Sequence, residues 1–210
     1  SHGETRVIRE AYFEHPSYVP IVQRAYHLWE QLERDSGERL YLKTGGLMIG
    51  QPDSTVVTGA IRSAREHRLP HQILTAAEIM QRSPGLRPEG GMTGVLEPRA
   101  GLLFPEKCVM AHLNLARAAG AEIHTAEPVT SWAARPGEVT IQTRAASYTA
   151  ARLIIAAGPW LPKLVPSLAP RLQIERQVLL WFQSPDSELF GQRRQPIHLW
   201  EYAPDQMFYG

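Results

Sequence analysis

The chain has 210 residues, 43% hydrophobic and 20% charged, enough for one large or two small cores in an ordinary globular protein. Lys and Arg total 22 against 21 Asp and Glu, and the net charge of +1 offers no field to steer nucleic acid. A single cysteine, Cys108, excludes an intramolecular disulfide and a cysteine-rich zinc site, and fits a reducing compartment.

The first ten residues, SHGETRVIRE, concentrate anion-binding groups around apolar Val7 and Ile8. In a helical turn, Arg6 and Arg9 would project from one face toward a common space. After Pro16, apolar Tyr18, Val22, Ala25, Trp29 and Leu32 recur at helical spacing, and Gly37 follows as a stop. RLYLKTGGLMIG reads as two strand halves broken at Gly45 and Gly46. DSTVVTGAIRSAREHRL reads as a second helix capped by Asp53 or Ser54. In TAAEIMQRSPG, Thr75 and Glu78 form a capping box for a short helix that must end before Pro84. GVLEPRAGLLFPEK is expected to be a hairpin turning at Pro98 to Gly101.

From Pro105 the pattern predicts a helix with proline in its first turn and Gly120 at its end, running straight into a strand. Cys108 sits on that helix as a small core residue. Next come three or four short strands with turns at Pro136-Gly137 and Ala145-Ala146. RLIIAAG is continuous and apolar, the pattern of a strand buried on both faces. A turn rich in Pro159, Pro162 and Pro166 follows, then a predicted long strand QIERQVLLWFQ and two further strands, IHLWEY and MFYG. No run of 18 apolar residues suggests a membrane span, no helical metal site is read among the histidines, and neither a G-x-S-x-G elbow nor a P-loop is present. No membrane or nucleic-acid partner is therefore expected, and the cytoplasm is the default location.

Four blocks in this order, HGETRVIREAY, KTGGLMIG, EPRAGLLFPEKCV and LIIAAGPW, resemble the flavin-dependent amine oxidases of the monomeric sarcosine oxidase and N-methyltryptophan oxidase family. The resemblance spans essentially the whole chain. It implies an α/β mixture, a partial FAD-binding Rossmann-type domain interleaved with a mixed-sheet substrate domain. Residues 1–38 and 105–165 would form the FAD portions, and 39–104 and 166–210 the substrate portions. In that family a strand and Gly-rich dinucleotide loop precede the segment matching Ser1. The cysteine holding the flavin covalently and an oxygen-activating lysine follow the segment matching Gly210. Both ends thus read as interrupted, self-association through unpaired sheet edges is expected of the chain alone, and the chain alone is expected to be inactive.

The resemblance also implies roles. Ser1, His2, Thr5 and Arg6 would lie against the flavin, and Arg9 would grip the substrate carboxylate through its bidentate fork. Ala156, Ala157 and Gly158 would contact the cofactor, and Val129 its adenine end. Tyr209 would reach the substrate carboxylate, and Trp200 would wall the cleft, favouring a substrate with an apolar or aromatic side chain. The implied reaction is oxidation of a secondary amine, such as an N-methyl amino acid, to an imine, with O2 as acceptor and peroxide as product. A related FAD amine dehydrogenase, a glycine-oxidase-like enzyme or a noncatalytic remnant are the alternatives.

Overall fold

The computed structural model describes residues 3–186, 188–191, 194–204 and 206–210. They divide into two units, the first Ser1–Ala119 with Leu180–Gly210 and the second Gly120–Leu179. The fold is mixed α/β.

In the first unit, strands β1 (Arg6–Ile8), β2 (Tyr41–Lys43) and β6 (Gly101–Leu103) make an antiparallel sheet in the order β1-β6-β2. The larger sheet is mixed. Its strands are β3 (Gly46–Gly50), β4 (Gln72–Thr75), β5 (Thr93–Glu97), β10 (Ile197–Ala203) and β11 (Gln206–Tyr209), in the order β11-β10-β3-β5-β4. β10 runs parallel to β3, and every other pairing is antiparallel.

Each face of this sheet buries one set of alternating residues. On one face, Met48, Val95 and Leu199 pack with Ala11, Phe13 and Val19 and with Val56, Val57, Ala60 and Ala64 of helix α2 (Thr55–Glu66). On the other, Leu47, Ile49 and Leu74 pack with Ile79 of helix α3 (Ala76–Arg82), with Leu86 and Met92, and with half-buried Trp200. Gly59 makes the first of these packings possible. A Cβ there would collide with the carbonyl oxygen of Phe13, so only glycine lets the 11–13 segment lie against α2. The Ser63 hydroxyl, one turn on, donates to the carbonyl of Tyr12.

The helix ends follow local chemistry. Helix α1 (Tyr18–Ser36) stops at Gly37, whose left-handed φ of 70° lets its N–H donate to the Glu33 carbonyl at 2.9 Å. The Glu33 carboxylate then accepts the N–H groups of Leu40 at 2.7 Å and Tyr41 at 3.0 Å, fastening the helix end to the start of β2. Ser54 caps α2, and Thr75 and Glu78 form both bonds of the capping box on α3. Helix α4 (Pro105–Ala118) has proline in its first turn and buries Cys108 and Ala111 against Leu32 and Leu40.

The second unit holds an antiparallel meander of β7 (Val129–Arg135), β8 (Glu138–Thr143) and β9 (Ser147–Ala150). A 3-10 turn at Gly158–Trp160, the short helix α5 (Leu161–Leu164) and a 3-10 turn at Pro166–Arg171 occupy the proline-rich stretch. The Trp132 indole N–H donates to the Leu164 carbonyl at 2.8 Å, holding α5 to the meander.

Five expectations need correction. Residues 93–103 are not a hairpin. β5 pairs with β3 and β4, and β6 with β1 and β2, so Pro98 to Ala100 carry the chain from one sheet to the other. The α1 stripe is rotated, with Val19, Val22, Tyr26 and Leu32 buried and Tyr18 exposed, because the helix packs under β1 and β2 through Tyr26. Gly120 takes a φ of 88° but leads into an irregular stretch, and the next strand starts only at Val129. RLIIAAG is irregular and pairs with no strand among the described residues, and Ile154 is 91% exposed. QIERQVLLWFQ is likewise irregular, with Trp181 and Phe182 exposed. Apolar continuity marks a segment able to be buried, but a strand also needs a neighbour to bond.

The hydroxyls of Tyr26, at 3.2 Å, and Tyr41 both donate to the Arg99 carbonyl. Burial raises both phenols, Tyr41 up to about 12 and Tyr26 further. Since the folded state holds these protons more tightly than the unfolded one, their contribution is complete below about pH 10 and is lost as pH rises toward 12. Urea unfolding between pH 9 and 12 should therefore show falling stability in the wild type and a flatter profile in a Tyr26→Phe/Tyr41→Phe variant. Equal slopes would contradict this coupling.

Candidate functional site

Arg9 follows β1 at the point where the chain turns toward α2. It is 6% exposed, an unusual state for an arginine. Its Nη2 donates to both Glu14 carboxylate oxygens, at 2.8 and 3.0 Å, and its Nη1 donates to the Ala11 carbonyl at 3.2 Å. The guanidinium carbon lies 4.1 Å from the Tyr12 ring centroid and 5.0 Å from that of Phe13. A desolvated guanidinium lying over two rings is suited to a carboxylate, and its Nη2 already holds that of the half-exposed Glu14.

Behind it stands Glu97, at the end of β5 and 1% exposed. Its two oxygens accept the backbone N–H groups of Glu10 at 2.7 Å and Ala11 at 2.8 Å. Burial raises its pKa, as does the nearby Glu10 charge, while the two amides and the Arg9 charge act in the opposite sense. The buried carboxylate of Glu10 turns away to accept from Arg99 at 3.0 Å, and Arg99 also donates to Glu30 at 3.0 Å. A third buried carboxylate, Glu201 on β10, accepts the N–H of Val56 at 2.9 Å in the first turn of α2.

At the β10–β11 edge, Trp200 stacks on Phe208 with ring centroids 5.7 Å apart and planes 24° from parallel. His198 meets Trp200 edge-on at 6.5 Å and Phe208 at 6.1 Å. Burial lowers the His198 pKa, and its buried Nδ1 has no hydrogen-bond partner among the described residues. In the second unit, Val129, Trp132, Ile141, Leu164 and residues 153–157 line an apolar cavity of about 210 Å³.

The expected site residues fall into distinct places. Ser1 and His2 lie outside the described residues. Thr5 is half-buried, and Arg6 is exposed on β1 with its Nη1 donating to the Thr5 carbonyl at 2.8 Å. Residues 6–8 form a strand instead of a helical turn, so the shared-face argument for Arg6 and Arg9 does not hold. Val129, Ala156 and Ala157 come together in the apolar cavity, with Gly158 next in sequence at a positive φ of 52° and open space where a Cβ would be. Trp200 and Tyr209 are not brought together. Trp200 is opposite Phe208 and Tyr209 opposite Leu199, so they stand on opposite faces of the sheet. Tyr209 thereby shares the face on which Leu199 packs with Ala11 and Phe13.

Sequence reasoning missed Glu97, Glu14 and Glu201. The signal for two of them was available: Glu97 lies two residues after inward Val95, and Glu201 two after inward Leu199, so strand alternation aims both inward.

The cavity tests the fit of a dinucleotide cofactor. Its apolar lining and the small side chains of Ala156 and Ala157 suit a flat heterocycle, whereas no charged side chain among its lining residues would meet a phosphate. These residues fit the apolar end of such a group.

The chain belongs to the FAD-dependent oxidoreductase family, whose family model matches residues 1–209. Among its relatives are a monomeric sarcosine oxidase from Streptomyces avermitilis, 43% identical over the whole chain and 55% of that protein. An N-methyl-L-tryptophan oxidase from Salmonella heidelberg is 34% identical, again over the whole chain and 55% of the relative. The chain thus spans about half the length of the curated relatives it matches. Among solved structures it is similar to NikD, an unusual amino acid oxidase essential for nikkomycin biosynthesis. That match has a TM-score of 0.73 and 25% identity, over 80% of this chain and 44% of NikD. L-proline dehydrogenase from P. horikoshii shares the fold, with a TM-score of 0.70 over 92% of this chain and 52% of that one.

The neutral imidazole of His198 carries a pH signature. The unfolded chain takes up a proton near pH 6.5 where the folded chain resists it, so stability is lost as pH falls from about 6.5 through the lower folded value. A His198→Phe variant should lose less stability than wild type between pH 7.5 and 5.5, measured by urea unfolding. A parallel decline would show that the buried ring is not the cause.

Proposed function

We propose that the protein carrying this chain is an FAD-dependent oxidase of secondary amines, acting on N-methyl amino acids to give an imine and hydrogen peroxide. The 43% identity to a monomeric sarcosine oxidase over the whole chain carries this reading. The chemistry FAD supplies when bound is acceptance of a hydride equivalent from the carbon beside the amine nitrogen. The chain's own residues bind and orient. Arg9 holds the substrate carboxylate, with Tyr209 adding a hydroxyl on the same sheet face, and so fixes which C–H bond is presented. Arg6 and Thr5, with Ser1 and His2, contact the cofactor. Val129, Ala156, Ala157 and Gly158 take its apolar adenine end, as the lining of the cavity supports. Residues 1–38 and 105–165 are accordingly the portions of a Rossmann-type cofactor domain, and 39–104 and 166–210 those serving the substrate. Covalent attachment of the flavin, O2 as acceptor and a cytoplasmic site of action belong to the same reading.

Trp200, stacked on Phe208, is on the other face of the sheet from Tyr209, and the wall role is proposed for it only toward a substrate side chain that reaches past the β11 edge. Ring stacking contributes roughly 0.5 to 1.5 kcal/mol. Peroxide formation by the full-length protein should be detected with sarcosine and N-methyltryptophan. Trp200→Met should lower the kcat/KM ratio of N-methyltryptophan over sarcosine by about two- to thirteenfold, the factor equivalent to that energy. Failure of both substrates to yield peroxide would overturn the oxidase reading. An unchanged ratio would make Trp200 a core residue of its own sheet face.

A further inference from the structure

We infer that Glu97 is a positioning residue that sets the direction of the Arg9 fork, an inference resting on the carboxylate-binding role proposed for Arg9. Arg9 is followed immediately by the two backbone amides that Glu97 binds, at 2.7 and 2.8 Å. The residues so held lie in neither helix nor strand, so no ladder fixes their φ and ψ. The side chain of Arg9 bends back onto this same short stretch, donating to the Ala11 carbonyl at 3.2 Å and lying over the Tyr12 and Phe13 rings. Both the root of the arginine and the surface its guanidinium rests on are therefore fixed by one carboxylate. That carboxylate is itself immobile, because Glu97 pairs with Gly46 inside the sheet and is 1% exposed. Its chemistry is also specific. A carboxylate accepts at both oxygens, whereas a glutamine would turn an NH2 toward one of the two N–H groups and leave that donor unsatisfied.

Glu97 does not touch the ligand in this scheme. It acts through Arg9, so its removal misaims the fork, and a carboxylate ligand loses the bidentate geometry while a neutral ligand of equal shape does not. Displacement of a binding group by an ångström costs up to about a hundredfold.

The test uses the full-length flavin-loaded protein and isothermal titration calorimetry with 2-furoate and its uncharged analogue 2-furamide. Wild type, Arg9→Lys, Glu97→Gln and the double variant are compared. Arg9→Lys should weaken furoate and leave furamide within twofold. Glu97→Gln should weaken furoate by about ten- to a hundredfold with furamide again within twofold, and the double variant should bind furoate no more weakly than Arg9→Lys alone. Unchanged furoate binding in Arg9→Lys would overturn the role of Arg9, and the inference with it. A furoate loss in Arg9→Lys without one in Glu97→Gln would overturn the inference alone. So would equal losses for furoate and furamide in Glu97→Gln, which mark general damage, or fully additive losses in the double variant. If Glu97→Gln does not fold, Glu97→Asp replaces it, its shorter carboxylate keeping the charge but unable to span both amides, and the same outcomes decide.

Discussion

Two backbone amides, those of Glu10 and Ala11, point at one buried carboxylate, and the first unit is organised around that meeting. Glu97 brings a charge into the core, which is costly unless donors surround it. The two N–H groups supply them, and the nearby positive charge of Arg9 acts in the same sense. From this point the connections spread. The Glu10 carboxylate faces the other way, to Arg99, whose guanidinium lies 4.5 Å from the Tyr26 ring centroid and whose carbonyl receives both tyrosine hydroxyls. One strand end of the five-stranded sheet is thereby joined to α1, β2 and the small sheet. On the other side, Ala11 and Phe13 enter the core against α2, where Gly59 leaves room for them. An irregular segment that would otherwise be free to move is held from both flanks.

What could be read from the sequence divides along a physical line. Features written in adjacent residues were legible: the glycine stop of α1, the Ser54 cap, the reciprocal bonds of Thr75 and Glu78, and the turns of the meander. Features that depend on which partner a segment finds were not. GVLEPRAGLLF has the look of a hairpin because its two apolar runs are close in sequence, yet each run joins a different sheet. RLIIAAG has the composition of a central strand but pairs with none among the described residues. The rotation of the α1 stripe is of the same kind, since Tyr26 is buried only because Tyr41 and Arg99 come from elsewhere to meet it.

The site was legible in outline through the resemblance, and less so in detail. Arg9 stood out as a residue type, but its depth, its pairing with Glu14 and its support by Glu97 come from contacts five and about ninety positions away. Val129, Ala156 and Ala157 line one cavity, although the segment carrying two of them is not the strand expected. Trp200 and Tyr209 received their roles from the resemblance, and their relative placement was not legible: the bulge between Glu201 and Ala203 sets a register that puts them on opposite faces.

The central claim is that a single carboxylate holds the chain at Glu10 and Ala11 as firmly as a strand would. Amide hydrogen exchange of these two residues, resolved individually by NMR, tests it most directly. The account predicts protection comparable to the amides of β3 and β5, despite the absence of any helix or strand at 10 and 11. Exchange as fast as that of the irregular 121–128 stretch would contradict it.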